Sequence, residues 1–207
     1  MIKMKTGQVK KARAKVDISL SKSPGHLFII SAPSGAGKST LGRAMLDQFP
    51  DLLYSISYTT RSPRQGEQNG VDYYFITKDD FENGIACHRW AEWAEVHGNY
   101  YGTSADFLDK KLSAGKDILL DIDIQGTRQI LTRYPDAITI FIMPPSLEIL
   151  RQRLEARGTD SPANIAVRLD NARKEMAAKD MYRHIVINDR LPDATAEMIN
   201  IFENYRS

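Results

Sequence analysis

One cysteine, Cys87, in 207 residues excludes an internal disulfide framework and fits a reducing compartment. No apolar run approaches the roughly 18 to 20 residues that a membrane-spanning helix needs. The first 22 residues are basic and polar and lack the apolar centre of a secretory signal. Histidine is scarce as well: His26, His88, His97 and His184 are scattered, and none stands at metal-ligand spacing from Cys87, so no structural zinc is expected. Broad basic surface is also missing. The net charge of +2 conceals a basic arm over residues 1–22, with seven Lys or Arg against Asp17, so the remaining 185 residues carry −4. An anion site in the body must therefore be local. The arm is expected to be a flexible extension outside the catalytic body, with non-specific nucleic-acid contact left open. Localisation is expected to be cytoplasmic.

What is present is an alternation of short apolar runs and amphipathic stretches. Strands are expected at 27–30, 73–77, 117–122, 137–143 and 184–188. Helices are expected at 39–49, 78–83, 104–114, 125–134, 146–157, 162–179 and 193–205. This rhythm predicts an α/β fold, a mostly parallel sheet flanked by helices. Residues 55–103, rich in Tyr, Gly, Arg and Asn, interrupt it as an inserted lobe.

The first strand runs into Ala32-Pro33-Ser34-Gly35-Ala36-Gly37-Lys38-Ser39-Thr40. This nearly matches the phosphate-binding pattern G-x-x-x-x-G-K-[ST], with Ala32 in place of the first glycine. Gly35 and Gly37 allow backbone N–H groups to converge on an anion at a helix N-terminus. Lys38 can reach the β- and γ-phosphates, and the Ser39 hydroxyl can meet Mg²⁺. A second carboxylate element usually stands nearby, and Asp121 and Asp123 end an apolar run; two apart on a strand, they would point the same way. Asp121 would act on the metal through water. These parts suit a phosphotransferase, a hydrolysing switch or a motor equally.

The blocks Ser55–Glu67, Asn69–Phe75, Glu92–Thr103, Ile118–Gly126, Arg157–Ser161 and Ile187–Asp189 resemble, in order, the motifs of the guanylate kinase family, bacterial type. The resemblance runs from about Gly25 to the end. It implies a phosphate-loop NTPase-like core over residues 23–207, with a GMP-binding insert at about 55–103 and a mobile lid at about 155–170. It implies transfer of the γ-phosphoryl of ATP to GMP, and to dGMP, with Mg²⁺. On this resemblance Ser57, Arg61, Arg64, Tyr73, Tyr101 and Thr103 hold the GMP phosphate and position the nucleotide. Glu92 and Asp123, with Ser57 and Thr103, read guanine. Arg157 and Arg168 close on the transferring group, and Asn188 meets the adenine of ATP.

Chemistry agrees with these roles. Arginine forks match a dianionic phosphate, and carboxylates accept from the N1–H and amine of guanine where adenine would present an acceptor. Glu92 read without the family is equally a surface acid on a helix. Two rivals stay open: a non-catalytic protein-binding module, disfavoured by Lys38 and Ser39, and a sister kinase acting on a phosphorylated ribose. The partners expected are ATP and GMP, with no membrane; homo-oligomerisation is left open.

Overall fold

The computed structural model describes residues 23–158 and 160–206; the basic arm over 1–22 lies outside the described residues. Five parallel strands form the central sheet: β1 (Leu27–Ser31), β2 (Leu53–Tyr54), β7 (Ile118–Asp121), β8 (Ile138–Met143) and β9 (His184–Ile187), in the order β2-β7-β1-β8-β9. Every residue of β1 is buried, as its unbroken apolar run requires of a strand covered on both faces. Alternate residues serve opposite layers. Phe28 and Ile30 pack with Leu41 and Met45 of α1 (Lys38–Gln48) and with Met198 and Phe202 of α7 (Leu191–Arg206). Leu27 and Ile29 pack with Leu108 of α3 (Ala105–Ser113) and Ile130 of α4 (Ile124–Arg133). The Phe28 and Phe202 rings stack at 4.0 Å between centroids.

A second, four-stranded sheet has the order β4-β3-β6-β5: β3 (Tyr58–Thr59), β4 (Tyr74–Phe75), β5 (Trp90–Val96) and β6 (Asn99–Ser104). The β5–β6 hairpin is absent from the pattern expected of the sequence. Its Trp-Ala-Glu-Trp-Ala-Glu run contains residues that disfavour strands, and only pairing with β6 and packing decide it. Trp90 stacks on Phe81 of α2 (Lys78–Ala86) at 4.3 Å and donates its indole N–H to the Phe81 carbonyl. The strand expected at 73–77 shrinks to two residues, because Thr77 caps α2 through the Asp80 N–H.

The remaining helices, α5 (Leu147–Ala156) and α6 (Pro162–Met176), pack against each other. Gly158 adopts φ 66° after α5, and Ser161 caps α6 ahead of Pro162, which matches the stop and start signals of the sequence. Leu150 and Leu154 of α5 meet Ile165, Leu169 and Ala172 of α6. α6 ends at Met176, three residues before the expected boundary, and a 3-10 turn at Lys179–Met181 leads into β9.

Candidate functional site

The phosphate loop hangs between β1 and α1. Gly35 and Gly37 have φ of 95° and 98°, the left-handed region that side-chain-bearing residues avoid, and the loop turns on the Ala36 N–H to Pro33 carbonyl bond. Ala32 has no positive φ and packs against the core, which is why alanine serves where the pattern has glycine. Helix α1 follows Gly37 with no side-chain cap and no acid in its first turn, so its positive end is left to an outside anion.

Two supports grip the loop. A Cβ placed on Gly35 would stand 3.0 Å from Leu150 and Leu154, so part of the leucine face of α5 lies on the loop. From the other side the buried Asn188 donates its Nδ2 to the Ala36 carbonyl at 2.8 Å. Lys38 extends from the loop to Asp121, with Nζ 2.5 Å from Oδ1. Ser39 and Thr40 are exposed at the helix start.

Beside Asp121 opens a cavity of about 320 Å³, lined by Ser57, Tyr73, Glu92, Ala94, Val96, Tyr101, Ile122 and Asp123 as well. It lies between the two sheets and brings together most residues expected to hold the acceptor. Asp121 and Asp123 both reach it, but not by strand alternation. The strand ends at Asp121, and Asp123 caps α4 by accepting from the Gly126 N–H at 2.8 Å. Glu92 corrects its reading as a surface acid on a helix. It lies on β5, is 7% exposed, and accepts a 2.5 Å hydrogen bond from Thr103 Oγ1 on β6. Burial pushes its carboxyl up to about 7, opposed by the Thr103 hydrogen bond and aided by nearby Asp123. The register shift between Trp90 and Glu92 is the bulge from which the carboxylate is aimed.

Arg61 does not line this cavity; it lies over the rings of Tyr73, which does, and Phe75, 5.5 and 5.9 Å from their centroids. Its guanidinium is paired with Glu67. Arg64 is exposed. Burial raises the Tyr73 hydroxyl, with Tyr101 adding to the effect. A second cavity, of about 370 Å³, lies over the phosphate loop between Gly35, Gly37, Thr40, Arg157, Asn188 and Leu191. Arg168 lines neither cavity; its Nη1 is 3.2 Å from Asp160 Oδ2.

Several residues of the site gave no individual signal in the sequence. Gln129 of α4 bonds both the N–H and the carbonyl of Trp93, tying α4 to β5. Gly126 leaves room for Glu92: a Cβ there would stand 2.9 Å from Oε2. Glu175 is half-buried in the last turn of α6; burial raises its carboxyl, and Lys38 opposes this. Glu67 lies within a recognisable block, but its spacing alone assigns it nothing.

Residues 25–205 match the profile of the guanylate kinase family. The chain is 48% identical over 180 residues to the guanylate kinase of Geobacter sulfurreducens, covering 87% of this chain and 89% of that protein. With the guanylate kinase of Bordetella pertussis it shares 47% over 189 residues, covering 91% and 88%. The crystal structure of guanylate kinase from Anaplasma phagocytophilum matches with a TM-score of 0.71 at 32% identity, over 88% of this chain and 87% of that one. The fold is that of the phosphate-loop NTPases, and with likeness this extensive from the phosphate loop through the second sheet to the last helix, the chain belongs to the guanylate kinase family.

Proposed function

We propose that the protein transfers the γ-phosphoryl group of ATP to the phosphate of GMP, giving ADP and GDP. The observation that carries this reading is the pair of neighbouring sites joined by Asp121. One is a phosphate loop with Lys38, and the other is a cavity whose wall holds Glu92 and Asp123, with Thr103 bonded to Glu92 from behind.

ATP phosphates lie in the loop of residues 32–40, on the backbone N–H groups that follow Pro33, with Lys38 on the β,γ-oxygens and Asn188 near the adenine. GMP enters the cavity between the sheets. Arg61, Arg64, Ser57, Tyr73 and Tyr101 take its phosphate. Glu92 and Asp123 accept from the N1–H and amine of guanine, with Ser57 and Thr103 beside them. These roles concern phosphate and base and none requires the ribose 2′-hydroxyl, so dGMP is an acceptor too. The nucleophile is a GMP phosphate oxygen, whose second pKa near 6 leaves it largely deprotonated at pH 7, so no general base is required. Its bond to the γ-phosphorus forms as the bond from that phosphorus to the β,γ-bridging oxygen breaks, and ADP leaves.

Among the described residues no three or more His, Cys, Asp or Glu side chains gather as a protein-built metal cage. Mg²⁺ does not need one, since it binds through one or two hard protein oxygens together with substrate phosphates and water. Ser39 and Asp121 fit that role, the carboxylate through water. The ion supplies charge neutralisation at the β,γ-phosphates. Lys38 moves from Asp121 to the transferring group, and Arg157 and Arg168 close over it from the segment around Gly158, residues 155–170 acting as a lid. The nucleotide substrates and single cysteine fit the cytoplasm; among the described residues no helix is long and apolar enough to cross a membrane.

The test is ADP formation with ATP and Mg²⁺ and each of GMP, dGMP, AMP, CMP and UMP. Activity confined to the guanine nucleotides is expected. Equal activity with AMP would remove the base-reading role of Glu92 and Asp123.

A further inference from the structure

Arg61 has five N–H donors in a rigid plane, and three of them are committed within the protein. Nη1 donates to Glu67 Oε2 at 3.0 Å and Nη2 to Glu67 Oε1 at 2.9 Å, so the carboxylate closes the end of the fork. The outer hydrogen of Nη1 goes to the Ser62 carbonyl at 2.8 Å. With the Tyr101 hydroxyl beside the guanidinium, two donors meet no carboxylate or carbonyl among the described residues, Nε–H and the second hydrogen of Nη2. They lie parallel along one side of the guanidinium, the spacing that two oxygens of a phosphate monoester match.

Glu67 is itself fixed. Its Oε2 also accepts the Arg64 N–H at 2.8 Å, and its own N–H donates to the Arg64 carbonyl at 3.1 Å. Gly66, at φ 90°, permits that tight return. The loop is thus folded around one carboxylate that grips the first arginine by its side chain and the second by its backbone. The rings of Tyr73 and Phe75 restrict the guanidinium, and the Tyr101 hydroxyl lies close enough to favour its charge. The Arg61 side chain is 15% exposed and that of Glu67 19%, so the pair is partly buried at the rim of the loop.

We propose that Glu67 is a positioning residue that turns the Nε/Nη2 edge of Arg61 toward the acceptor phosphate and never touches the substrate itself. The proposal rests on the reading that Arg61 binds the GMP phosphate. Glu67 adds a negative charge near an anion site, which by itself opposes binding. Its benefit is preorganisation: a guanidinium already ordered loses less freedom when the phosphate arrives. The contrary arrangement would be a clamp, in which Glu67 occupies a fork that the phosphate must take from it. The two differ in sign, because removing a positioning residue weakens GMP binding and removing a clamp strengthens it.

The experiment is GMP binding by calorimetry without ATP, for the intact chain, Glu67→Ala, Arg61→Ala and the double variant, with the KM for ATP measured alongside. Arg61→Ala is expected to weaken GMP binding by roughly ten- to hundredfold, the range for a lost charge-assisted pair. Glu67→Ala is expected to weaken it about tenfold in the intact background, to have no further effect when Arg61 is already alanine, and to leave the KM for ATP in place. Glu67→Gln, which retains one acceptor, should fall between. If Arg61→Ala is silent, the phosphate role of Arg61 fails and this inference with it. If Arg61→Ala weakens binding but Glu67→Ala tightens or does not change it, the positioning role alone is overturned. Equal losses from Glu67→Ala in both backgrounds, or a matching rise in the KM for ATP, would mark a structural role and overturn it as well.

Discussion

Asn188 Nδ2 donates to the carbonyl oxygen of Ala36 across 2.8 Å, joining the chain just after β9 to the crest of the phosphate loop 152 residues earlier. The same nitrogen is 2.3 Å from where a Cβ on Gly37 would stand, so the amide fits against bare backbone. Asn188→Ala would leave the fully buried Ala36 without that partner, at a cost of about 1–3 kcal/mol. A lowered unfolding midpoint with a severalfold rise in the KM for ATP is expected. An unchanged midpoint and KM would mean that the loop holds its shape unaided.

Glu92 makes stability depend on pH. Its carboxyl is pushed up to about 7 in the folded chain by burial, against 4.5 ordinarily. Between those values the folded state holds a proton that the unfolded state has released, so stability falls as pH rises from about 4.5 to about 7 and stays reduced above that. At 1.36 kcal/mol per unit the full effect is about 3 kcal/mol. Glu92→Gln removes it. Urea unfolding at pH 5 and pH 8 should show the variant gaining on the parent by up to about 3 kcal/mol at the higher pH, while GMP binding weakens. A parent–variant difference that is the same at both pH values would contradict the buried carboxyl.

The contrast between Lys38 and Glu92 explains what could be read from the sequence. Lys38 belongs to a contiguous loop whose glycines, helix start and preceding apolar strand are all local signals, and the structure keeps each of them. The stop at Gly158 and the cap at Ser161 are local in the same way. Glu92 acquires its environment from Thr103 on the paired strand, from Asp123 and from the first turn of α4, none of which spacing reveals. The β5–β6 hairpin went unread for the same reason, since its strand character comes from pairing rather than propensity. Family resemblance assigns Glu92 a role that residue chemistry alone leaves open.

Arg157 ends α5 immediately before the left-handed Gly158 and lines the cavity over the phosphate loop. In the proposed role it meets charge that develops only during transfer, so Arg157→Ala should act on turnover rather than on ATP affinity. Arginines acting this way in related phosphoryl transfers supply roughly 10³ to 10⁵ in rate. A loss of kcat of about 10³-fold with a KM for ATP within about threefold is the expected split. Equal small changes in both constants would place Arg157 outside the transfer step.

Gly126 tests whether the acceptor pocket is set by space as well as by charge. It occupies the first turn of α4, where its N–H satisfies Asp123, and alanine in a helix ordinarily gains about 1 kcal/mol over glycine. Here the added Cβ would stand 2.9 Å from Glu92 Oε2 and 3.4 Å from the Ile122 Cβ. Glu92 has little freedom to retreat, because Thr103 holds its other oxygen at 2.5 Å. The propensity gain and the steric cost then offset each other in stability, and the displacement appears in the pocket instead. Gly126→Ala is expected to raise the KM for GMP about tenfold, equivalent to 1.4 kcal/mol, with the KM for ATP unmoved and the unfolding midpoint nearly constant. A more stable variant with an unaltered KM for GMP would show that the carboxylate can yield, and that guanine recognition does not depend on its being held against α4.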